Sequence, residues 1–248
     1  MLTVTINRPS RKNALDDAAW NGLREALHRA RTDDSVRSVL LTGAGGDFCA
    51  GADLGGDRTG AHPLGRMRGI NEIAVALHEM PKPVVAKVRG VAVGAGWNLA
   101  LGCDLVVSAP NARFSQIFAK RGLSLDCGGS WLLPRIVGMQ QAKRLALLGD
   151  FVLADEALQL GLVTWIKQEE ELDAFTDEIA DRLAAGPPVA LAQNKQLLHD
   201  GSRQSFRDAL EGEGRAQTVN FATEDAPEAI AAFTKKTEPQ FTGTWAVR

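Results

Sequence analysis

Two glycine-rich turns are the segments of this 248-residue sequence best suited to chemistry. The first covers residues 48–54 (Phe-Cys-Ala-Gly-Ala-Asp-Leu), and the second covers residues 90–104, with Gly94-Ala95-Gly96 near its start. Small residues let a ligand approach the backbone closely, and a helix that begins near Gly96 would point free N–H groups at that ligand. Two such N–H groups that converge form an oxyanion hole, which stabilises an oxygen that gains negative charge.

Asp126 is the candidate carboxylate for acid–base chemistry. It precedes Cys127-Gly128-Gly129, at the start of a predicted helix. A carboxylate in this place can remove a proton from a substrate, and it can equally cap the helix by accepting N–H groups of the first turn. The residue and its spacing alone leave both roles open.

Other catalytic signatures are incomplete in this sequence. A dinucleotide fingerprint fails because Leu99 stands at its third glycine, and His78-Glu79 lacks the second histidine of a zinc-protease helix. Ser130 lacks the last glycine of a nucleophile elbow, and no glycine-rich phosphate loop ends in Gly-Lys-Ser/Thr. The three cysteines and four histidines have no metal-ligand or disulfide spacing. These observations argue against nicotinamide, ATP, metal and serine-hydrolase chemistry.

Composition and charge are those of an ordinary globular protein. Hydrophobic residues make up 45% and charged residues 23%, with a formal net charge of −2. Such a balance gives no reason to expect a nucleic-acid or membrane partner. The segment Met1–Ile6 does not resemble a signal peptide, and no apolar run has the length of a membrane span. We therefore expect a cytoplasmic protein.

Strands that alternate with helices predict an α/β sheet with crossover helices. We expect strands at residues 2–7, 36–42, 84–88 and 105–108, helices at 16–30 and 66–79, and a loop over 55–65. After residue 129 the pattern is mostly helical, with apolar periods at 131–148, 154–160, 172–184 and 189–198. We expect residues 1–185 to form the core with the active site, and residues 186–248 to form a helical oligomerisation part.

The order of these segments resembles the crotonase (enoyl-CoA hydratase/isomerase) superfamily over nearly the whole sequence. The resemblance implies a crotonase, ClpP-like α/β fold, in which repeated ββα units form a spiral that ends in helices for trimerisation. It implies a homotrimer or a dimer of trimers, an acyl-CoA substrate and no prosthetic group. Besides the two turns, the matching segments are Asn7-Arg8-Pro9, Asn13-Ala14-Leu15, residues 39–43, Pro81-Lys82-Pro83-Val84, residues 132–135 and residues 157–163.

The same resemblance assigns roles to individual residues. It implies that the N–H groups of Ala52 and Ala95 hold the thioester oxygen, although the family usually has glycine in place of Ala95. It implies a C-terminal pair, Phe233 and Lys236, that helps to hold CoA, often from a neighbouring subunit. The residues it implies along the CoA channel are Lys12, Ala14, Ala50, Ala52, Asp53 and Leu54.

The resemblance also bears on the reaction. Hydratases that resemble this protein have two glutamates, and here those positions hold Asn98 and Phe118, neither of which can act as a base. Asp126 instead matches the catalytic aspartate of several isomerases and aromatic dehalogenases. One carboxylate can isomerise a 3-enoyl-CoA, because it removes the α-proton and then returns it to the γ-carbon.

The nearest resemblance is to isomerases of bacterial phenylacetate degradation, which rearrange a ring-epoxide CoA thioester and also shift enoyl double bonds. The segments that carry it are residues 94–102, 126–129, 145–149 and 239–243. On this interpretation Asn98 hydrogen-bonds the reacting group, and the bulky Trp97 reshapes the acyl pocket. Three alternatives stay open: an enoyl-CoA hydratase with unusual residues, a dehalogenase with Asp126 as nucleophile, and a non-catalytic CoA-binding scaffold.

Overall fold

The computed structural model of the protein describes residues 1–55 and 62–246. Of the loop predicted over residues 55–65, residues 56–61 lie outside the described part, and a helix already begins at Pro63. None of the helices in these two ranges combines the length and the apolar character needed to cross a lipid bilayer.

Eight strands of the described residues form two sheets. The larger sheet has the order β1-β2-β3-β5-β8 and is parallel throughout, and the smaller sheet has the order β4-β6-β7. In the smaller sheet β4 and β6 are parallel, whereas β7 runs antiparallel to β6. The strands are β1 Leu2–Ile6, β2 Val39–Gly43, β3 Val84–Val88, β4 Val91–Val93, β5 Leu105–Ser108, β6 Arg113–Ser115, β7 Val152–Leu153 and β8 Trp165–Ile166.

The described residues include nine α-helices and two short 3-10 helices. The α-helices are α1 Asp17–Thr32, α2 Pro63–His78, α3 Ala95–Leu101, α4 Gly129–Leu148, α5 Ala154–Gln159, α6 Glu169–Ala185, α7 Pro188–Gly201, α8 Phe206–Phe221 and α9 Asp225–Lys235. The 3-10 helices cover Pro9–Arg11 and Ile117–Arg121. The predicted α/β class is confirmed by this alternation of strands and helices.

The repeating unit is two strands followed by a helix, as the resemblance implies. Strand β3 enters the large sheet, β4 enters the small sheet, and α3 follows; β5, β6 and α4 repeat the pattern. The segment before α2 follows the same path in shorter form. After β2 in the large sheet, the chain reaches Cys49, which pairs in parallel with Ala92 of β4 in the small sheet. Each repeat therefore passes from the large sheet to the small one through a short connection.

Helix α1 shows how local sequence fixes an element. The carboxylate of Asp16 accepts the N–H of Ala19 at 2.8 Å and caps the first turn, as predicted. The side chains at the predicted apolar positions are all buried; they are Trp20, Leu23, Leu27 and Ala30. The helical spacing of these side chains packs one face of α1 into the core.

Helix α4 is broken within its span. Gly138 has φ 73° and ψ 163°, so two helical segments meet at this residue rather than forming one straight helix. The periodic pattern over residues 131–148 predicts the helical region but not the break, because a single glycine within such a pattern is tolerated in a helix and does not by itself end it.

The C-terminal helices have few buried side chains. Helix α6 packs against strands of the large sheet, whereas α7, α8 and α9 contact one another in sequence order. Within α7 no described residue is buried, and α8 buries only Ala216. Helix α6 ends at Ala185 and α7 begins at Pro188, next to the predicted boundary at 185/186, which stays a prediction.

Candidate active site

The first glycine-rich turn lies beside the strand that leads into the second. The N–H of Cys49 donates to the C=O of Val91, and the N–H of Val93 donates to the C=O of Cys49, both at 2.9 Å. Strand β4 then continues directly into Gly94 and α3. Backbone pairing therefore holds the two turns side by side, although they are more than 40 residues apart in the sequence.

Glycine is required where the two turns touch. A Cβ added to Gly96 would lie 2.3 Å from the carbonyl oxygen of Cys49. A Cβ added to Gly51 would lie 2.8 Å from the carbonyl oxygen of Val93 and 3.5 Å from the Ala95 nitrogen, and Gly51 also has φ +90°. The missing side chains let the backbones approach until Gly51 is adjacent to the Ala95 nitrogen.

This approach leaves two backbone donors free within the described part of the protein. Ala95 is the first residue of α3, so its N–H has no acceptor within the helix. Neither the Ala95 N–H nor the Ala52 N–H donates to any of the described residues. Both alanines line the same cavity, so the arrangement suits a single oxygen that accepts from both donors.

The segment around Lys12 is held in an unusual conformation. Lys12 and Asn13 both have positive φ, 50° and 57°. The amide of Asn13, which is fully buried, donates to the carbonyls of Ala44 and Asp47 at 2.9 and 2.6 Å and accepts the N–H of Arg8. Sequence analysis quoted Asn13 only as part of a motif; its role depends on contacts more than 30 residues away and has no local signal.

Asp53 is engaged by cations of its own subunit. Its carboxylate is 3.0 Å from Nη1 of Arg8 and 3.3 Å from Nη2 of Arg11. A hydrogen bond from the Gly55 N–H, followed by those from Arg8 and Arg11, lowers the pKa of Asp53 to about 2. The structure therefore places this predicted CoA-channel residue in a network that fixes the cavity wall.

One cavity of about 520 Å³ brings together most of the predicted site. It is lined by the predicted residues Lys12, Ala14, Ala50, Ala52, Asp53, Leu54, Ala95 and Asp126. Arg113 and Arg121, which were not predicted as site residues, line the same cavity with Arg11 and make its wall rich in cations. Phe233 and Lys236 do not line it; both lie at the C-terminal end of α9, where the Phe233 side chain is 86% exposed.

Asp126 lies at the junction of this cavity with a second one. The second cavity, of about 540 Å³, is lined largely by α2, α3 and residues 125–132, and Asp126 lines both. One carboxylate oxygen of Asp126, Oδ1, is buried and has no hydrogen-bond partner among the described residues. The helix-capping role is not observed, because α4 begins without a side-chain hydrogen bond from any described residue.

Burial sets the protonation of Asp126. Desolvation raises its pKa from 3.8 to about 6, and the neighbouring Cys127 thiol opposes this rise. A carboxyl with a pKa near 6 is ionised at neutral pH and can act as a base, and its conjugate acid is still strong enough to return the proton. Perturbation by burial at the junction of two cavities is typical of catalytic carboxyls.

Asn98 and Phe118 occupy the two positions at which hydratases have glutamate. The Oδ1 atom of Asn98 accepts a hydrogen bond from Gln116 at 2.8 Å, and its Nδ2 donates to the backbone carbonyl of Asp126 at 2.9 Å. The phenyl ring of Phe118 lies against Gly94, 3.5 Å from the position of an added Cβ. Asn98 thus hydrogen-bonds to the protein itself, and Phe118 presents an apolar surface to the first cavity.

The second cavity has an aromatic end. His78 and Trp131 line this end and meet edge-on, with ring centroids 5.0 Å apart. The imidazole of His199, which does not line the cavity, stacks on His78 with centroids 4.1 Å apart. Burial lowers the pKa of both histidines. The expectation that Trp97 reshapes the acyl pocket is wrong: its side chain is fully buried, packs against Phe114 at 5.4 Å, and lines neither cavity. Every residue of α3 is buried, and the Trp97 side chain belongs to the main hydrophobic core.

In residues 1–55 and 62–246, no three His, Cys, Asp or Glu side chains lie close enough together to hold a metal ion. The three cysteines are buried and unpaired with one another.

Comparison with known proteins gives consistent matches over the whole sequence. Residues 1–244 match the profile of the family described as enoyl-CoA hydratase/isomerase. The 1,2-epoxyphenylacetyl-CoA isomerase of Escherichia coli (strain K12) is 40% identical over 98% of this chain and 95% of the relative. The short-chain-enoyl-CoA hydratase of Clostridium acetobutylicum is 37% identical over 94% of this chain and 90% of the relative. The crystal structure of an enoyl-CoA hydratase from Polaromonas sp. JS666 superposes with a TM-score of 0.90 at 34% identity, covering 97% of this protein and 95% of that one.

Proposed function

This protein belongs to the enoyl-CoA hydratase/isomerase (crotonase) family and has its fold; from that premise we propose that it isomerises an enoyl-CoA or a ring-epoxide acyl-CoA, with Asp126 as the base. The observation that carries the proposal is the half-buried Asp126 carboxyl, which lies where the two cavities meet and whose Oδ1 is buried with no hydrogen-bond partner among the described residues. A family relative that is named as a 1,2-epoxyphenylacetyl-CoA isomerase supports the ring-epoxide substrate class.

The first cavity suits the CoA moiety. Its wall carries Arg11, Lys12, Arg113 and Arg121, whose positive charges complement the phosphates of CoA. The second cavity is mainly apolar and suits the acyl group, with Leu99, Leu125 and Leu132 in its wall. The thioester would then lie at the junction, next to the free N–H groups of Ala52 and Ala95 and next to Asp126.

The mechanism follows from this placement. Asp126 removes a proton from the α-carbon, and the electrons move onto the thioester oxygen, which accepts hydrogen bonds from Ala52 and Ala95. Each such donor is worth about 3–4 kcal/mol in the transition state, because the charge develops only there. The protonated Asp126 then delivers the proton to the γ-carbon, so the double bond has moved and the mass has not changed. The enzyme needs no second acid for this sequence of steps.

Hydration is the second candidate, because several relatives carry that name, among them the short-chain-enoyl-CoA hydratase. The surroundings of Asn98 and Phe118 argue against it. A water molecule placed for addition would have no carboxylate at either position, and Asn98 already uses its amide within the protein. We therefore expect slow addition of water to a 2-enoyl-CoA.

The test compares wild type with Asp126→Asn on a 3-enoyl-CoA. We expect isomerisation to fall by roughly 10²–10⁴, the usual worth of a general base, while binding of a CoA thioester changes little. Asp155→Asn, which removes an exposed carboxyl on α5, is the matched control and should keep full activity. Mass spectrometry separates the alternatives: an isomer keeps its mass, hydration adds water and dehalogenation loses halide. Undiminished isomerisation by Asp126→Asn would overturn the proposal, and no turnover of any thioester would favour a scaffold.

A further inference from the structure

Two buried side chains, Gln116 and Asn98, form a hydrogen-bonded relay that ends at the backbone carbonyl of Asp126. Gln116, which follows β6, donates from Nε2 to Oδ1 of Asn98 on α3 at 2.8 Å. Asn98 donates from Nδ2 to the backbone carbonyl of Asp126 at 2.9 Å. Gln116 is fully buried and Asn98 is 1% exposed, so water does not compete for these bonds. Gln116 lines neither of the two cavities.

The backbone carbonyl of Asp126 sets the orientation of both side-chain amides in the relay. A backbone carbonyl only accepts, so Asn98 must present its NH₂ group to Asp126. The oxygen of Asn98 then faces Gln116, which must present its own NH₂ group. Without Gln116 the Asn98 amide loses the partner that favours this orientation, and a turned amide would set an oxygen against the Asp126 carbonyl.

The turn that carries Asp126 needs this support. Cys127 has φ 45° and Gly128 has φ 81°, and a left-handed conformation costs a cysteine roughly 1 kcal/mol. The Asp126 carbonyl also accepts the Gly129 N–H at 2.9 Å, which closes the turn. A Cβ on Gly129 would lie 2.5 Å from Nδ2 of Asn98, so glycine here allows Asn98 to reach the carbonyl.

We propose that Gln116 is a positioning residue for the Asp126 carboxyl and acts through Asn98. The inference rests on the proposed function only in taking Asp126 as the base. Gln116 fixes Asn98, Asn98 fixes the carbonyl of Asp126, and the strained turn then holds the carboxyl at the junction of the cavities.

The test uses Gln116→Leu and Gln116→Met, two apolar side chains of similar size that cannot donate. Since a small displacement of a catalytic group costs up to about 100-fold, we expect kcat to fall by about 10- to 100-fold while KM stays within about twofold. Ser115→Ala is the matched control: it removes a buried hydrogen bond to the Gly149 carbonyl one residue away and should leave kcat unchanged. In a double-mutant cycle with Asn98→Leu, the second substitution should add almost nothing to the first.

A readout that is independent of turnover separates this proposal from the proposed function. The titration of Asp126 can be followed by carbon NMR of labelled aspartate carboxyls, and its signal is assigned as the one that is missing in Asp126→Asn. In wild type we expect a titration midpoint near pH 6. In either Gln116 variant the midpoint should fall, because a loosened turn admits water to the carboxyl. If kcat and the midpoint match those of Ser115→Ala, or if the effects of the two sites add, the relay is overturned. Full isomerase activity in Asp126→Asn would instead overturn the function and leave the NMR comparison to decide on the relay.

Discussion

The Asp126 carboxyl, which we propose as the base, should also lower the stability of the folded protein at neutral pH. Its Oδ1 is buried without a partner among the described residues, and the carboxyl binds a proton more tightly in the folded protein than in the unfolded state, where its pKa is 3.8. Below that pH the carboxyl is protonated in both states and imposes no penalty. As the pH rises through about 6 the folded protein must ionise a desolvated group, so stability is lost over this range.

We therefore predict that Asp126→Asn, although inactive, is more stable than wild type at pH 8. A shift of about two pKa units corresponds to roughly 2–3 kcal/mol in the free energy of unfolding, and the difference should shrink as the pH is lowered towards 4. Urea denaturation of both proteins across this pH range measures it. Asp155→Asn should follow wild type at every pH. Equal stability of Asp126→Asn and wild type at pH 8 would show that the carboxyl is not desolvated.

The elements were predictable where the sequence signal is long and local. Strands β3 and β5 occupy the predicted residues because both are rich in valine, a β-branched residue that favours strands. The strand predicted over residues 36–42 begins three residues later, since the N–H of Val36 still closes a turn to the Asp33 carbonyl. Strands β4 and β6 have three residues each, too few to show a period, and β4 lies inside a segment interpreted as a turn.

The candidate site, like the elements, was predictable where the sequence signal is local. The residues of the two turns lie together as the resemblance implied, because local sequence fixes each turn and backbone pairing aligns them. Gln116 and Asn13 were missed, since each acts through contacts with segments 18 to 34 residues away. The placement of Trp97 was also not predictable, because α3 is buried on all sides and its sequence does not reveal which of its side chains face a cavity.

The contact between the two turns gives a test at Gly96. An alanine there would drive its Cβ into the Cys49 carbonyl, so the turns must separate and the Ala95 and Ala52 donors must diverge. We expect Gly96→Ala to lower kcat by at least about 10²-fold, the cost of losing one donor of an oxyanion hole. Circular dichroism and thermal denaturation establish whether the variant is folded.

Gly22→Ala is the matched control for that substitution. Gly22 lies within α1, and a Cβ there meets nothing within 4 Å. Alanine should stabilise the helix by about 0.5–1 kcal/mol and leave kcat unchanged. A folded Gly96→Ala protein with normal kcat would show that the close approach of the turns is not needed for catalysis.

The molecule as a whole leaves much apolar surface uncovered near its C-terminus. Large apolar side chains that are exposed on α7, α8, α9 and the following segment are Leu198, Phe206, Leu210, Phe221, Ile230, Phe233 and Trp245. A monomeric protein rarely exposes this much apolar surface unless another molecule covers it. The family resemblance points to further copies of the same protein, and Phe233 and Lys236 would then face the CoA channel of a neighbour.

We predict that the protein sediments as a trimer or a dimer of trimers of the 26.5 kDa subunit at micromolar concentration. Phe233→Glu, which places a charge on the exposed apolar surface, should shift the distribution towards smaller species. The same variant should weaken binding of CoA thioesters if the neighbour completes the channel. The control is Glu228→Gln, which alters an exposed side chain on the same helix and should leave the assembly intact. A wild-type protein that sediments only as a monomer would contradict the prediction.

The position of Asp126 between the two cavities has a consequence for the fate of the transferred hydrogen. A CoA thioester that fills both cavities would keep bulk water away from the protonated carboxyl, so the hydrogen taken from the α-carbon should return to the γ-carbon of the same molecule. When the isomerisation is run in D₂O and stopped after partial conversion, we predict that most of the product carries no deuterium. Product in which nearly every molecule carries one deuterium at the γ-carbon, even at low conversion, would mean that Asp126 exchanges its proton with bulk water during the reaction.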